Sequence, residues 1–402
     1  MNGKVVKMKK LLYINLSFLN YKNKALAQML AFERNGYITY VGTIQRYEQI
    51  VEQSINLVKN GEVVERVFYV KYNSNTAKTI SRLYLLEVYR RFYLWIKDNQ
   101  VDIVYMRRML QRIVFSRSFF KKSSVVTKLV YELPTYPLDP SDKIGDQISQ
   151  FIEMGFYYCF IEKYVDIVPV CLQKECVLPK KYLPFVNGVN ALHYRPIGTP
   201  ELKNKFVCVA FAHVRYWHGF ERVIRGISAY QGTFDIEFHI YSSENDTTEA
   251  LKLLTSDLNL SRAVFIHNLV DIGQMAMIAK DCHIGVGGLA YHKRGATIDS
   301  SIKSKEYCAL GLPFLYEVPD MAFDKEWEYH YKIPSDESPV DFEKVINWYK
   351  SLPKEHSVVM HKYAEDNLQF DNEVRDIERR LQDIMIEKKR DRGASNYESN
   401  VN

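Results

Sequence analysis

Short apolar runs alternate with helical patterns along almost the whole chain, and this alternation constrains the fold more than any other feature. The strands of a parallel sheet are buried by helices on both faces, so strand and helix signals follow each other in such a sequence. In the first half, strand-like runs lie at 10–16, 37–42, 101–106 and 128–133, with a helical pattern at 25–36. They predict one doubly wound α/β domain.

The pattern starts again after KYLPFVNGVN (181–190), which predicts a second domain of the same class. Ligands of doubly wound sheets bind outside the carboxyl ends of the strands, so functional residues are expected in the loops that follow strands. The strands predicted in this half lie at 205–211, 234–242, 263–270 and 282–289, and the helices at 220–230 and 248–258.

These patterns divide the chain into four predicted segments. The first domain spans 1–186 and the second spans 187–345. Helices at 346–388 are expected to cross back to the first domain, and the polar tail at 389–402 is expected to be disordered. The last helix carries apolar residues at helical spacing, at Val374, Ile377, Leu381 and Ile384.

The composition is that of a folded protein, and the expected compartment is the cytoplasm. Apolar residues make up 47% of the 402 residues, and no uncharged apolar run reaches the length of a membrane-spanning helix. The short apolar segment near the N-terminus is interpreted as a first strand rather than a signal peptide. The six cysteines lack metal-ligand spacing, so we expect reduced core cysteines and no metal site.

Charge is distributed unevenly between the two halves. Residues 1–180 contain 27 Lys and Arg against 16 Asp and Glu, a net charge of +11, whereas the rest of the chain has a net charge of −5. A basic half indicates an anionic partner such as nucleic acid, anionic lipid or a phosphate-bearing substrate, or else a solvated basic face.

The stretch AHVRYWHGFERVI (212–224) follows a predicted strand and precedes a predicted helix. Its loop carries Arg215 and His218, and Gly219 allows a ligand to approach the backbone closely. A helix N-terminus beside a basic side chain is a typical anion site. A packed or capping histidine is the alternative interpretation of His218.

His267 and Asn268 end the predicted strand VFIHN. A nucleotide base could meet backbone groups at this strand end, so His267 is a candidate binding residue. The alternative is a structural histidine.

The loop at 290–299 follows a strand that ends in two glycines, and it carries the cations His292, Lys293 and Arg294. After it, Ser300 or Ser301 can cap a helix, because a serine hydroxyl accepts a hydrogen bond from the first backbone N–H groups.

Lys303 and Glu306 lie three residues apart in that helix and therefore on one face. A glutamate near a helix N-terminus can accept two hydrogen bonds from a ribose diol, while Lys303 and the loop cations face a diphosphate. The alternative is an isolated surface pair between Lys303 and Glu306. Because Gly311-Leu312-Pro313 ends the helix and begins a buried strand, the segment is expected to be central.

Four motifs, NGVNALHYRP, WHGFERVI, VFIHN and SIKSKEYCALGLPF, occur here in the order and spacing seen in GT-B glycosyltransferases of the family 4 type. VDIVYMRR and LVYELPTYPLD resemble two strand ends of the first domain of that family. The resemblance covers nearly the whole chain up to about residue 320. It implies two Rossmann-like domains that face each other across a cleft.

The resemblance also implies roles for individual residues. Glu306 is expected to hold the ribose of a nucleotide-diphosphate sugar, and Arg215 and His218 are expected to meet its diphosphate. The family has lysine where this chain has His218. Ser301 and Lys303 belong to the same donor motif.

The sequence departs from the family at Ile298, eight residues before Glu306, where the family has a second glutamate that contacts the sugar. Asp299, or the loop of His292 and Lys293, is expected to take over this contact.

The resemblance implies retention of anomeric configuration without a cofactor or a metal, and the chain contains no Asp-x-Asp motif. Arg107 and Glu132 end neighbouring strands of the first domain and are expected to face the cleft. Glu132 is the candidate catalytic group because it could position the acceptor hydroxyl, although it could instead cap a loop. Lys22 and Lys24 could meet an acceptor phosphate, and Arg107 is the other candidate acceptor residue.

The stretch 107–128 interleaves cations with Phe115, Phe119 and Phe120. This composition suits an anionic membrane surface, and a solvated basic helix is the alternative. We therefore expect a cytoplasmic protein that can lie peripherally on the inner face of the membrane.

Taken together, the sequence predicts a metal-independent retaining glycosyltransferase that moves a hexosyl group from a nucleotide-diphosphate sugar to a glycan or lipid-linked acceptor in surface polysaccharide biosynthesis. A nucleotide-sugar epimerase of the same fold is one alternative, but it would need a carboxylate-rich cleft. A nucleic-acid-binding protein that uses the basic half is the other. No recognised nucleic-acid module is present, so no nucleic-acid partner is expected.

Overall fold

The computed structural model describes residues 8–16, 22–47, 50–73, 83–108, 113–138 and 144–398. The chain divides into two compact units, each with its own sheet. The first comprises Met1–Cys171, Val177–Phe185 and Phe370–Asn402, and the second comprises Leu172–Cys176 and Val186–Gln369.

Strands of the first unit form one eight-stranded sheet. They are β1 (Lys9–Ile14), β2 (Tyr37–Tyr47), β3 (Ile50–Lys59), β4 (Glu62–Asn73), β5 (Ile103–Arg107), β6 (Lys128–Tyr136), β7 (Val168–Leu172) and β8 (Tyr182–Pro184). The order is β4-β3-β2-β1-β5-β6-β7-β8, and β1 pairs in parallel with β2 and β5. The connecting helices in the described part are α1 (Lys22–Arg34), α2 (Tyr84–Asn99), α3 (Arg117–Val126) and α4 (Ile144–Phe156).

The strands β3 and β4 extend this sheet as an antiparallel hairpin that the sequence patterns did not predict. Asn60 and Gly61 form its turn, with φ of 54° and 70°. An Asn-Gly pair between strands is a strong hairpin signal because both positions need positive φ, so the signal was present in the sequence.

The second unit contains the six parallel strands β9 (Lys205–Phe211), β10 (Asp235–Tyr241), β11 (Val264–His267), β12 (Ile284–Val286), β13 (Phe314–Tyr316) and β14 (His330–Lys332). Their order, β11-β10-β9-β12-β13-β14, reverses direction between β9 and β12. The loops that leave these two strands therefore diverge and open a crevice at the carboxyl edge. Its helices are α5 (Phe220–Ala229), α6 (Asp246–Asp257), α7 (Ile272–Ala279), α8 (Ile302–Leu310), α9 (Phe342–Ser351) and α10 (His356–Asn367).

The segment predicted to cross back to the first domain, 346–388, is divided between the two units. α9 and α10 belong to the second unit, and only α11 (Asp371–Glu398) joins the first. α11 also runs through most of the predicted disordered tail at 389–402, of which the last four residues lie outside the described part. Its apolar stripe packs into the core of the first unit through Val374, Ile377 and Leu381.

Two of the three phenylalanines in the basic stretch 107–128 do not lie on the surface, and Phe115 is partly exposed. Phe119 and Phe120 are buried in the first unit, and only the opposite face of α3 is exposed. Both rings pack in a chain of aromatic contacts that includes Tyr131. The interleaving of cations and aromatics therefore reflects an ordinary amphipathic helix.

Within the described residues, no helix is long and apolar enough to cross a membrane. All six cysteines are free thiols. Four of them are buried as expected, whereas Cys159 and Cys176 are exposed and do not belong to the core.

Candidate functional site

The loops that follow β9 and β12 are locked together at the crevice of the second unit. The backbone N–H of Leu289 donates to the carbonyl of His218 at 3.0 Å, and that of Ala290 donates to the carbonyl of Trp217 at 3.1 Å. Gly219 sits at φ +63°, and a Cβ there would lie 2.9 Å from Ala290 Cβ. Glycine is therefore required at the start of α5, both for its backbone conformation and for this close approach.

His218 is buried in this junction and contacts Lys303 at the start of α8. Its Nδ1 accepts a hydrogen bond from the backbone N–H of Arg215 at 2.9 Å, so the neutral ring carries its proton on Nε2. Nε2 lies 3.1 Å from Lys303 Nζ, which means that two hydrogen-bond donors face each other. Burial, and next the charge of Lys303, hold the pKa of His218 well below its usual range. An oxyanion placed beside both groups would accept from both.

Two arginines add positive charge at the same place. The Arg294 guanidinium lies over the rings of Trp217 and Tyr291, at 5.2 and 4.6 Å from their centroids, and donates to the side chain of Gln173. Arg215 is exposed. Among the described side chains, no carboxylate lies within ion-pair distance of Arg215 or Lys303, and the charges of Asp299 and Glu306 act on Lys303 only from further away.

The start of α8 follows the prediction for the motif SIKSKEYCALGLPF. Ser301 caps the helix by accepting from the backbone N–H of Lys303 at 3.2 Å. Gly311, at φ +72°, ends it in the left-handed conformation. Desolvation lowers the pKa of Lys303.

Glu306 stands one turn after the cap and is held by a residue that the sequence patterns did not single out. The buried Tyr194 donates its hydroxyl proton to Glu306 Oε1 at 2.9 Å. Desolvation raises the pKa of Glu306. No cation lies within 4 Å of its carboxylate among the described residues, so Glu306 is not the surface ion-pair partner of Lys303. Its side chain is partly exposed and retains free acceptor capacity.

His292 and Lys293, both predicted to bind the donor, are engaged by carboxylates instead. His292 contacts Glu317 through Nδ1 at 2.6 Å and Glu337 through Nε2 at 2.7 Å. Burial alone would lower the pKa of His292, but these two hydrogen bonds outweigh it and raise the pKa. Lys293 Nζ contacts Glu221 at 2.7 Å and Glu337 at 3.0 Å. These contacts fix the loop, and they neutralise its first two cations.

Asp299, the expected substitute for the missing second glutamate, is buried close to Asp320, and its side chain is hydrogen-bonded to Tyr291. Burial, and next the charge of Asp320, raise the pKa of Asp299. Asp320 in turn pairs with the buried Lys305. This cluster anchors the N-terminal end of α8 rather than presenting a carboxylate to solvent.

His267 lies at the carboxyl end of β11, as predicted, in a stack of flat rings. Its ring centroid is 4.5 Å from that of Tyr241, and its Nε2 is 3.1 Å from Nδ1 of His239. The carbonyl of His267 accepts from the backbone N–H of Ser242 at 2.9 Å. A partly exposed aromatic surface therefore exists where a base was expected.

In the first unit, Glu132 and Arg107 lie opposite each other on neighbouring strands. Arg107 ends β5 as predicted, whereas Glu132 does not end its strand, because β6 continues to Tyr136. Glu132 is fully buried, and its Oε1 accepts from Lys24 Nζ at 2.8 Å and from Arg107 Nε at 3.2 Å. Burial would raise its pKa, but the charges of Lys24 and then Arg107 outweigh burial and lower the pKa of Glu132 to about 2.

α11 contributes a second carboxylate, Glu373, to the same buried cluster. Gln28 Nε2 lies 3.3 Å from Glu132 Oε2 and 3.1 Å from Glu373 Oε2. The Tyr105 hydroxyl lies 2.7 Å from Glu132 and 2.9 Å from Glu373. One hydroxyl proton cannot serve two acceptors, so a protonated Glu373 that donates to Tyr105 satisfies the geometry. Burial, and next the charge of Glu132, raise the pKa of Glu373 to about 7.

Lys22, predicted to bind the acceptor, begins α1 and is exposed. It lines a cavity of about 250 Å³ on the hairpin of β3 and β4. Its lining also includes Thr43, Ser54, Arg66, Tyr69 and the carboxylate of Glu52. Hydroxyl, guanidinium and aromatic groups together form a polar lining. No group of three or more His, Cys, Asp or Glu side chains suited to a metal occurs in the part of the chain that the structure describes, and metal independence stays a prediction.

Solved glycosyltransferases have the same fold. A glycosyltransferase from Rickettsia africae matches with a TM-score of 0.64 and 12% identity, covering 94% of this chain and 99% of that chain. The catalytic domain of starch synthase IV from Arabidopsis thaliana, bound to ADP and acarbose, gives 0.60 and 8%, covering 93% and 99%. HepE from Anabaena in complex with UDP gives 0.57 and 14%, covering 94% and 100%. No family model and no curated protein matches the sequence. The predicted fold is confirmed: two Rossmann-like units of the GT-B type.

Proposed function

We propose that the chain is a glycosyltransferase that uses a nucleotide-diphosphate sugar as donor. The observation that carries this proposal is the cluster of His218, Lys303 and Arg215 at the crevice of the second sheet, whose positive charge has no carboxylate partner in the described residues. The crevice at a strand-order reversal is where such sheets bind nucleotides. Proteins of the same fold bind UDP and ADP, which supports a nucleoside diphosphate as the anion.

In this proposal each group of the second unit has a distinct task. Lys303, Arg215 and the Nε2–H of His218 neutralise and hydrogen-bond the diphosphate, which stabilises it as the leaving group. Glu306, oriented by Tyr194, accepts the hydroxyl protons of the ribose. The ring stack at His267 lies beside the base. We assign no donor contact to His292 or Lys293, because carboxylates already occupy their polar groups.

The first unit would supply the acceptor side. Glu132 has no exposed oxygen, and Lys24 and Arg107, which bind it, are also buried. We therefore propose that this cluster holds the sheet edge in place rather than touching the acceptor itself. Lys22 and the polar cavity beside it are the candidate acceptor contacts. Sequence resemblance to the family 4 type supports a retaining, metal-independent reaction on a glycan or lipid-linked acceptor, with a role in surface polysaccharide biosynthesis.

The experiment that tests this function is a screen of nucleotide-diphosphate sugars for release of nucleoside diphosphate, with and without glycan and lipid-linked acceptors. We expect release with at least one donor, slow without acceptor and faster with it, and loss of release in Lys303→Ala. An epimerase would convert the sugar without releasing the diphosphate. Binding of single-stranded nucleic acid in place of any nucleotide sugar would contradict the proposal.

A further inference from the structure

The helix α4 in the first unit carries an apolar stripe on its solvent face. Ile148, Phe151 and Ile152 are 56%, 81% and 58% exposed. They are spaced three and four residues apart, so they lie on one side of the helix. On the other side, Met154 and Glu153 are buried against the unit. The helix therefore packs against the unit through one face, and the exposed stripe is a second apolar face that contacts solvent.

The apolar surface continues into the π-helical turn that follows α4, Tyr157–Ile161. The rings of Phe156 and Phe160 lie 5.0 Å apart, and Phe160 is 39% exposed. Phe156 stands four residues after Ile152 and so continues the stripe. Exposed large apolar side chains that form a continuous row mark a docking surface more often than scattered single ones do.

One cation of α3, Arg117, lies beside this row. The Arg117 guanidinium is 5.1 Å from the ring centroid of Phe160, which joins the two helices at the surface. Lys121 and Lys122 are exposed one turn further along α3, and Lys122 Nζ lies 5.7 Å from the ring centroid of Tyr93 on α2. The stretch 113–128 contains no acidic residue, and among the described side chains these three cations form no ion pair. The basic face is therefore available to an external anion.

We propose that α4 and the basic face of α3 form a docking surface for an anionic phospholipid bilayer. Apolar side chains of a surface-lying helix enter the boundary between headgroups and acyl chains, while neighbouring Lys and Arg side chains meet the phosphates. α4 has 13 residues, whereas a spanning helix needs about 20, so the contact is peripheral. Lipid binding is measured without nucleotide, so its failure is distinct from failure of the proposed sugar transfer.

The test is co-sedimentation of the full chain with phosphatidylcholine vesicles and with equimolar phosphatidylcholine and phosphatidylglycerol vesicles. We expect binding to the anionic vesicles only. Lys121→Ala with Lys122→Ala should weaken it about tenfold or more, because each cation near an anionic surface contributes a factor of about five. Phe151→Ser with Ile152→Ser should weaken it by a similar factor. The matched control is Leu253→Ser, which removes a 67% exposed apolar side chain from α6 and should bind as the unaltered protein does.

A second readout locates the contact. In Phe151→Trp, brominated acyl chains should quench the new tryptophan more strongly than they quench the four native ones. Equal vesicle binding by the double variants and the control would overturn the proposal, as would equal binding to neutral vesicles. Self-association that is abolished by Phe151→Ser with Ile152→Ser, in a protein that binds no vesicles, would assign the surface to a second copy of the chain.

Discussion

Lys303 is the residue on which the anion site depends most directly. Its ammonium faces His218 Nε2 at 3.1 Å, and among the described residues it has no carboxylate partner. We predict that Lys303→Ala weakens the binding of UDP or ADP by about 10- to 150-fold, the range expected when a charged hydrogen bond of roughly 1.5 to 3 kcal/mol is lost. Arg215→Ala should weaken it less, because Arg215 is exposed. Titration calorimetry measures both.

The control for these variants is Lys252→Ala, which removes an exposed lysine paired with Glu249 on α6. It should bind the nucleotide as the unaltered protein does. If Lys303→Ala binds equally well, Lys303 does not contact the diphosphate.

Glu306 allows a sharper test because its proposed partner, the ribose diol, can be removed chemically. We predict that the unaltered protein prefers UDP over 2′,3′-dideoxy-UDP by about tenfold or more, and that Glu306→Ala loses this preference without loss of thermal stability. Tyr194→Phe should reduce the preference partly, because it removes the hydrogen bond that orients Glu306. A full preference in Glu306→Ala would show that another residue holds the ribose.

The sequence patterns identified the functional residues of α8 but not the residues that contact them. The spacing of Lys303 and Glu306, the cap at Ser301 and the end at Gly311 follow from local rules of helix structure. Tyr194 lies 112 residues before Glu306, and no periodicity connects the two. The carboxylates that bind His292, Glu317 and Glu337, come from separate segments, so the sequence patterns did not predict that the charge of this loop is neutralised.

Among the helices and strands, α11 has a role that the sequence predicted only in part. Its apolar stripe predicted packing, and Val374 and Ile377 do pack in the core of the first unit. Its first turn also places Glu373 beside Glu132, which is far away in the sequence. That contact closes a buried polar cluster. Glu132 was expected to face a cleft, and the cluster explains why it is fully buried instead.

Glu373 makes the first unit sensitive to pH. Its folded pKa of about 7 lies above the usual value of 4.5, so the folded state holds the proton more tightly than the unfolded chain does. The stabilisation is fully present below about pH 4.5 and is lost as the pH rises through about 7. We predict that raising the pH from 5 to 8 lowers the melting temperature of the unaltered protein more than that of Glu373→Gln.

The other members of the cluster determine whether the pKa of Glu373 is raised or lowered. Glu132 disfavours the ionised form of Glu373 and Lys24 favours it, while Gln28 and Tyr105 supply hydrogen bonds. Glu378→Gln is the matched control, since Glu378 lies on the same helix but pairs with the exposed Lys9. A Glu373→Gln protein with an unchanged pH dependence would mean that Glu373 is ionised throughout this range.

At the scale of the whole molecule, repetition of the strand and helix pattern was sufficient to predict two doubly wound units. This works because parallel strands buried on both faces have a continuous apolar signature. The unpredicted hairpin lacks that signature, because β3 buries only one face and β4 is largely exposed. The turn at Asn60 and Gly61 is the signal that identifies it. The charge excess of the first half indicated an anionic partner, but only the exposure of α3 and α4 shows which surface is available.

The central claim is that a nucleoside diphosphate binds in the second unit, at the loops after β9 and β12 and at the start of α8. Hydrogen exchange of the full chain with and without saturating UDP or ADP tests it most directly, because ligand binding stabilises the backbone that it contacts. We predict slower exchange in peptides that cover 213–222, 287–295 and 301–307, with the first unit unchanged. Protection confined to the first unit would contradict the account. So would a Lys303→Ala protein that binds the nucleotide with undiminished affinity and shows the same slower exchange at these peptides.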